Sequence, residues 1–393
     1  MSSQLLTLLM PLKGRHLFTL RFLWQANKFL LPYRILIADG EVHPVIAGLL
    51  ENPATFPNLD IEYIRYPDDT SFTQFYRKMA DASSRLRTPY TMMVDNDDFV
   101  IPSGIEPCLE FLTANDDYVS CGGGVAGFAL RPASDAALSN LIGPFDRLAY
   151  RYSPNYFSRD LASPSLATRV IDGYANYMTT YYNVFRSRAM ATICHECADL
   201  NFSDLEIHES YFAMRTLVLG KARSNKSCVS YLRQYGTSLG SAFKKDWVHH
   251  LLRSRFTTDF DAMVSRISSA VAAADGVDPD PIAEQIRNIF GDGLRILLSR
   301  RYGPNPRMEQ YKQSVRELIP GWLHDARAWR SRSAAARSAA RARDEVFSKL
   351  AADGADVTYL RRFEQELESI EETLRGADFP RFVQQHAPDL LKT

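Results

Sequence analysis

The residues with the clearest capacity for chemistry are Asp95, Asp97 and Asp98, in the stretch Thr88-Pro89-Tyr90-Thr91-Met92-Met93-Val94-Asp95-Asn96-Asp97-Asp98-Phe99. Carboxylates so close repel one another, and such clusters are tolerated mainly where a hard cation such as Mg2+ or Mn2+ neutralises them. The competing reading is a solvated acidic turn that merely ends a strand. The apolar run Tyr90–Val94 reads as a short buried strand, which puts the carboxylates at the carboxyl edge of a sheet. Open α/β sheets bind their ligands at that edge.

A second ionisable group of residues is Asp204, Glu206, His208 and Glu209, ahead of an apolar helix that ends near Gly220. On a helix, Asp204 and His208 share a face at i, i+4, and Glu206 and Glu209 do so at i, i+3. These side chains can supply a general base and a metal-facing ligand. The alternative is a capped and solvated first turn, where acidic residues favour the helix dipole. Tyrosines are dense between the two groups: Tyr150, Tyr152, Tyr156, Tyr174, Tyr177, Tyr181 and Tyr182. Their rings can stack on sugar faces and their hydroxyls bond to alcohols, so Tyr174, Tyr177 and Tyr181 are candidate acceptor contacts. Ordinary interlayer packing explains them equally.

The elements that must position these groups follow from the apolar pattern. Strands are expected at 5–12, 35–38, 61–66 and 90–94. Helices are expected at 16–30, 44–50 and 71–86, the last capped by Ser71. Strand and helix thus alternate over the first hundred residues, which predicts a mainly parallel sheet with right-handed crossovers. Beyond it, 103–113 reads as a helix, 117–121 as a strand, Gly122–Gly124 as a flexible or close-approach segment, 181–186 as a strand and 187–198 as a helix. No GxGxxG and no GxxxxGK[ST] occurs, so neither a dinucleotide fold nor a P-loop is supported.

From about residue 241 strand signals vanish, and 246–256, 260–274, 282–298 and 308–318 are helical in period. This divides the chain into an α/β part, 1–240, and an all-α C-terminal part, 241–393. The segment Trp322–Leu350 is rich in alanine and arginine, and the helix expected at 359–374 is acidic. Pairing of the two as a hairpin is the simpler explanation. A basic helix with tryptophans, Trp322–Arg343, is also a candidate for peripheral contact with an anionic membrane, and the helical part is a candidate oligomer interface.

The 393 residues, 46% hydrophobic and 23% charged, suit a soluble chain with a sizeable core. A formal net charge of zero gives no reason to expect nucleic acid, and the arginine-rich helix lacks aromatic interleaving. Five scattered cysteines are too few for a disulfide scaffold. Cys194 and Cys197 read as buried thiols at helical spacing rather than a redox or zinc pair. No run of about 18 apolar residues marks a membrane span. The apolar start carries its basic residues, Lys13 and Arg15, after the run, the wrong order for a signal peptide. A reducing cytoplasmic location is expected, with the inner face of the membrane as a candidate site of action.

Taken in order, these features resemble the family 2 glycosyltransferases, which have a GT-A fold. The residues that carry the resemblance are Pro11 and Arg15 after the first strand, Ile37-Ala38-Asp39-Gly40, Arg77-Lys78, Asp95-Asn96-Asp97-Asp98, and the acidic helix start near Glu209. They span roughly residues 5–235. The resemblance implies a nucleotide-sugar donor, UDP-type favoured, and a glycan or glycolipid acceptor. It assigns Asp39 to the nucleotide base, Asp95 and Asn96 to the ribose and diphosphate region, and Asp97, Asp95 and His208 to a Mn2+ or Mg2+ ion. Lys13, Arg15 and Lys78 would lie near the phosphates. His208-Glu209 stands where the family has a Glu-Asp pair, which makes Glu209 the base of an inverting displacement, with Asp204 and Glu206 as reserves.

Rival readings are a nucleotidyltransferase, which needs a longer glycine-rich basic loop than Lys13-Gly14-Arg15, and a catalytically dead scaffold, against which the retention of Asp39, Asp95, Asp97 and Glu209 argues. An EF-hand beginning at Asp95 fails because Phe99 and Val100 fill positions that need a ligand and a glycine.

Overall fold

A computed structural model describes residues 5–132, 145–152, 160–176, 180–235, 251, 253–302 and 343–391. The strands β1 (Leu6–Leu12), β2 (Arg34–Asp39), β3 (Ile61–Arg65) and β4 (Tyr90–Met93) pair in parallel in the order β3-β2-β1-β4. Helices α1 (His16–Lys28), α2 (Ala47–Glu51) and α3 (Phe72–Ser84) connect them. The central strand β1 is buried along almost its whole length, and β4 entirely. Continuous apolar runs of this kind mark strands covered on both faces. Ser71 caps α3, its hydroxyl accepting from the Gln74 amide.

The second half of the sheet is mixed. Beyond β4 come β5 (Phe99–Val100), helix α4 (Pro102–Ala114), β6 (Tyr118–Pro132), β7 (Phe145–Tyr152) and β8 (Asp160–Leu161). Then follow α5 (Leu166–Ala175), β9 (Val184–Arg186), α6 (Ser187–Leu200), α7 (Leu205–Leu219) and β10 (Lys221–Gln234). The sheet continues β4-β9-β6-β10-β5, with β7 on β6 and β8 on β10. β9 runs antiparallel to β4 and β6, and β6 is parallel to β10. Six strands (β1 to β4, β6 and β10) therefore point the same way, and their carboxyl ends share one edge.

Gly122 and Gly123 lie inside β6, where other groups come close. A Cβ on Gly122 would collide with the Asn183 amide, and one on Gly123 would come within 2.7 Å of the Ser230 backbone nitrogen. Of the two options the sequence offered, close approach is the one realised.

The helices after 241 cover both faces. Helices α8 (Phe256–Asp275) and α9 (Pro279–Tyr302) bury Phe260, Met263, Val264, Ile267 and Ile286 in a core shared with β1, α3, α6 and α7. On the other face, the helix at 343–352, α10 (Val357–Arg375) and α11 (Asp378–His386) join the core formed by β1, α1 and α4 through Leu350, Phe363, Leu367, Ile370 and Phe382. Each such side chain contributes roughly 1.5–3 kcal/mol of transfer free energy. Arg343 pairs with Glu364, Glu368 and Glu371, the contact the expected hairpin would make. The remainder of the Trp322–Arg343 segment lies outside the described residues.

Candidate active site

Because β1, β2 and β4 are parallel, Leu12, Asp39 and Asp95 emerge on the same edge. Asp97 and Asp98 follow in the turn between β4 and β5, and both are 2% exposed. One ligand oxygen from each of Asp95, Asp97 and Asp98 lies within 4.8 Å of the other two, the only such group of metal-ligand side chains among the described residues. Burial pushes Asp95 up, as does the charge of Asp97, while a hydrogen bond from Tyr182 works the other way. Burial, then Asp97 and Asp95, push Asp98 well above the usual carboxylate range. A dry, crowded, all-oxygen donor set with its ionisation disfavoured fits a hard divalent cation.

Each carboxylate is also fixed from outside. The Tyr182 hydroxyl donates to Asp95 Oδ2 at 2.7 Å, and the Asp95 amide donates to the Tyr231 hydroxyl at 3.0 Å. The rings of Tyr182 and Tyr231 stack at 4.3 Å. The Gln234 amide donates to Asp98 Oδ1 at 2.7 Å. Arg15 Nη2 donates to Asp97 Oδ2 at 2.7 Å. Arg21 is fully buried and reaches the Asp97 carbonyl at 3.0 Å and Gln234 Oε1 at 2.5 Å. Burial lowers its guanidinium to about 10, against the opposing pull of Asp97 and Asp98.

Helix α7 leads through Gly220 alone into the amino end of β10, so its own amino end lies at the carboxyl edge of the sheet. That brings Glu209 to the carboxylates. Glu209 keeps an exposed edge, but the protein packed around its carboxyl, with Glu206 and Asp95 nearby, pushes it up to about 7. Arg233, near the end of β10, lies over the Tyr182 ring at 5.8 Å. Burial works against its charge, but Tyr182, Asp98 and Asp95 outweigh it and hold it protonated.

The other residues singled out in the sequence fall into three groups. Asp39 stands at the edge but is fully buried, accepting from the Tyr63 hydroxyl at 2.7 Å and the Glu41 amide at 2.8 Å. Pro11 is half-buried in β1 opposite Ala38. Lys13 donates to the Asp69 carbonyl. Lys78 donates to Asp69 Oδ2 at 2.6 Å and the Leu12 carbonyl at 3.3 Å. With its side chain 2% exposed, it is a buried tie from α3 to the end of β1 and to the turn after β3, and its charge is spent on Asp69. The Asn96 amide turns inward, donating to the Arg15 carbonyl at 3.2 Å and Thr19 Oγ1 at 2.9 Å.

In the α7 group, Glu209 is the residue that feels the Asp95 charge, with the exposed Glu206 near it. Asp204 is the N-cap of α7, accepting from the Glu206 amide at 2.9 Å and pairing with Arg253 at 3.0 Å. His208 is not brought to the carboxylates. It is buried against Phe75, Tyr76 and Phe212, with Nδ1 unpartnered, and burial lowers it to about 4, so it is neutral at neutral pH. Helical spacing put it on a shared face with Asp204, but that face is the one α7 buries. Among the tyrosines, Tyr181 packs edge-on against Tyr182, and burial raises its phenol. Tyr174 is packed against the core, and burial pushes it up to about 12. Tyr177 lies outside the described residues. The expected buried thiols Cys194 and Cys197 are buried and free.

Arg21, Tyr231, Arg233 and Gln234 were not singled out in the sequence, and Tyr182 only as one of the dense tyrosines. Four of these five come from β9, β10 or their approach, and the short, largely apolar run Cys228-Val229-Ser230-Tyr231-Leu232, with its β-branched and aromatic residues, was the signal that could have found β10.

No protein-family model matches this sequence, and no curated protein matches it. Among solved structures the chain is similar to TarS of S. aureus. Against TarS 1–349 in complex with UDP-GlcNAc the TM-score is 0.50 at 9% identity, covering 94% of this chain and 89% of that one. Another structure of TarS 1–349 gives a TM-score of 0.47 at 10% identity over the same shares. At this identity the likeness shows a common fold. The chain has the GT-A-type arrangement, a mainly parallel sheet flanked by helices and followed by C-terminal helices. No described helix is long and apolar enough to cross a membrane.

Proposed function

We propose that this chain is a metal-dependent inverting glycosyltransferase that moves a sugar from a nucleotide-sugar donor, UDP-type favoured, to a hydroxyl of a glycan or glycolipid. The observation that carries the reading is the meeting of the Asp95-Asp97-Asp98 cluster and Glu209 at one sheet edge. The fold shared with a TarS structure that holds UDP-GlcNAc supports the donor class.

Asp97 and Asp95, with Asp98 beside them, would hold Mn2+ or Mg2+. When bound, the cation supplies neutralisation of the charge that develops on the diphosphate leaving group. Glu209, poised at about 7, takes the proton of the acceptor hydroxyl, matching a base to neutral pH. The freed oxygen lone pair forms the bond to the anomeric carbon from the face opposite the diphosphate. The anomeric carbon–oxygen bond breaks, and its electron pair stays on the diphosphate. Arg15 and Arg233 contribute positive charge beside the site. Tyr181 and Tyr174, half-buried against the core, are the proposed acceptor contacts. The Trp322–Arg343 segment is the proposed membrane contact at the cytoplasmic face, and the C-terminal helices the proposed surface for a second copy.

Release of UDP from UDP-sugars, measured with Mn2+ or with EDTA, tests this. Release should require the cation and fall by about a hundredfold or more in Glu209→Gln. Release that persists unchanged in that variant would remove Glu209 from the mechanism. One observation favours a second reading: Arg15 already neutralises Asp97, so a guanidinium could stand in for the cation. Donor turnover insensitive to EDTA would select it.

A further inference from the structure

Arg15 breaks three local rules at once. It is the N-cap of α1, yet its side chain makes no capping hydrogen bond, where Ser, Thr, Asp or Asn would satisfy the helix. Its backbone is left-handed, with φ 56°, a conformation that disfavours side chains other than those of Gly, Asn and Asp. Its positive charge stands at the positive end of the helix dipole. Violations of this kind persist where the surroundings fix them and the position serves the site.

The surroundings here do fix it. The Arg15 carbonyl accepts from the amides of Phe18 and Thr19 at 3.0 and 3.3 Å and from the Asn96 side chain at 3.2 Å. Its guanidinium lies 4.6 Å from the centre of the Phe18 ring and 2.7 Å from Asp97 Oδ2. Asp97 is almost fully enclosed, while the Arg15 side chain remains 21% exposed. The carboxylate therefore cannot leave, but the guanidinium can.

We propose that Arg15 is an exchangeable internal counter-ion for Asp97, so that a divalent cation enters the site together with a diphosphate that takes over the released guanidinium. A cation arriving alone must break the Arg15–Asp97 pair and strand the guanidinium. A cation arriving with a diphosphate gives it a bidentate anionic partner in exchange. The two ligands then favour one another, and by linkage each raises the affinity of the other by the same factor. This rests on the donor reading above.

Calorimetric titration measures the factor: Mn2+ alone, UDP alone, and each in the presence of the other, on wild type, Arg15→Gln and Arg15→Asn. Asparagine suits the left-handed backbone, so the second variant keeps the test valid should glutamine disturb the fold. In wild type, UDP should raise Mn2+ affinity roughly tenfold or more, about 1.4 kcal/mol or more of coupling. In the variants, Mn2+ alone should bind more tightly than to wild type and UDP alone more weakly, with the coupling cut to about twofold. Coupling unchanged in both variants, with UDP still bound, would overturn the Arg15 proposal and leave the donor reading intact. Failure of wild type to bind UDP, GDP or CDP with Mn2+ present would overturn both.

Discussion

Glu209 shows how little of a residue's chemistry is a property of its type. Glu206 and Glu209, one turn apart, both reach solvent, but the protein packed around the Glu209 carboxyl, with the charges of Glu206 and Asp95, raises its affinity for a proton. A carboxylate raised to about 7 is the active base only above that pH. The proposed transferase should therefore gain rate as pH rises through about 7, and the rising limb of kcat/KM should vanish with the activity in Glu209→Gln. A profile flat from pH 5.5 to 8.5 would assign the base elsewhere. Asp95, Asp97 and Asp98 stood out in the sequence because three carboxylates close an apolar run, whereas Arg15 and Asp39 were picked out by the family resemblance and Glu209 by both its acidic helix start and that resemblance. The roles of Arg21, Tyr182 and Arg233 were not legible, because they come from pairing over long sequence separation: Tyr182 meets Asp95, and Arg21 meets Gln234. His208 and Lys78 illustrate the converse. Helical spacing suggested the first and the family resemblance the second, but both side chains lie buried in packing.

At the scale of elements, the parallel half of the sheet was readable because β1, β2 and β4 are continuous apolar runs ending in Asp or Lys. β10 was missed: Lys221–Lys226 is strongly polar, and β10 is irregular in register against β6 around Asn225–Tyr231. Its pairing depends on the glycines of β6. Gly123→Ala should destabilise the fold by about 1–3 kcal/mol, since the new Cβ meets backbone that cannot move independently. Urea denaturation measures this, and a neutral result would show that the two strands separate freely.

Helix α10 makes a comparable contribution from far along the chain. Glu366 Oε1 accepts from the Ser103 amide at 2.8 Å and Oε2 from its hydroxyl at 2.5 Å, at the start of α4. Burial pushes Glu366 up to about 7 from an ordinary 4.5. The folded state thus binds this proton more tightly than the unfolded chain, and the stability it provides is present below 4.5 and lost as pH rises through about 7. Glu366→Gln should flatten the fall in melting temperature over that window. Glu366→Ala should lower stability by about 1–3 kcal/mol below pH 4.5, by leaving the Ser103 amide unsatisfied, and by less as pH rises through about 7. A variant Gln protein with the wild-type pH dependence would contradict this account.

On the scale of the whole molecule, the helical C-terminal part announced itself by the loss of strand signals, but its placement did not. Periodicity shows that a helix has an apolar face without saying what covers it. Here Leu350, Phe363 and Phe382 enter the core of β1 and α1, and Phe260 and Ile267 that of α3 and α7. The Tyr359 hydroxyl also accepts from the Val229 amide in β10 at 2.7 Å. A chain ending at Tyr302 should therefore melt at markedly lower temperature and bind a dye for exposed apolar surface, and retention of the full-length melting temperature would show the last helices to be dispensable.

The central claim is that the Asp95-Asp97-Asp98 edge binds a nucleoside diphosphate with a divalent cation. Calorimetric titration of UDP, with and without Mn2+, into wild type and Asp97→Asn tests it most directly. The account predicts binding to wild type that strengthens with Mn2+, and loss of that strengthening in Asp97→Asn. Cation-independent binding of equal strength to both proteins, or no binding of any nucleoside diphosphate to wild type with Mn2+ present, would contradict it.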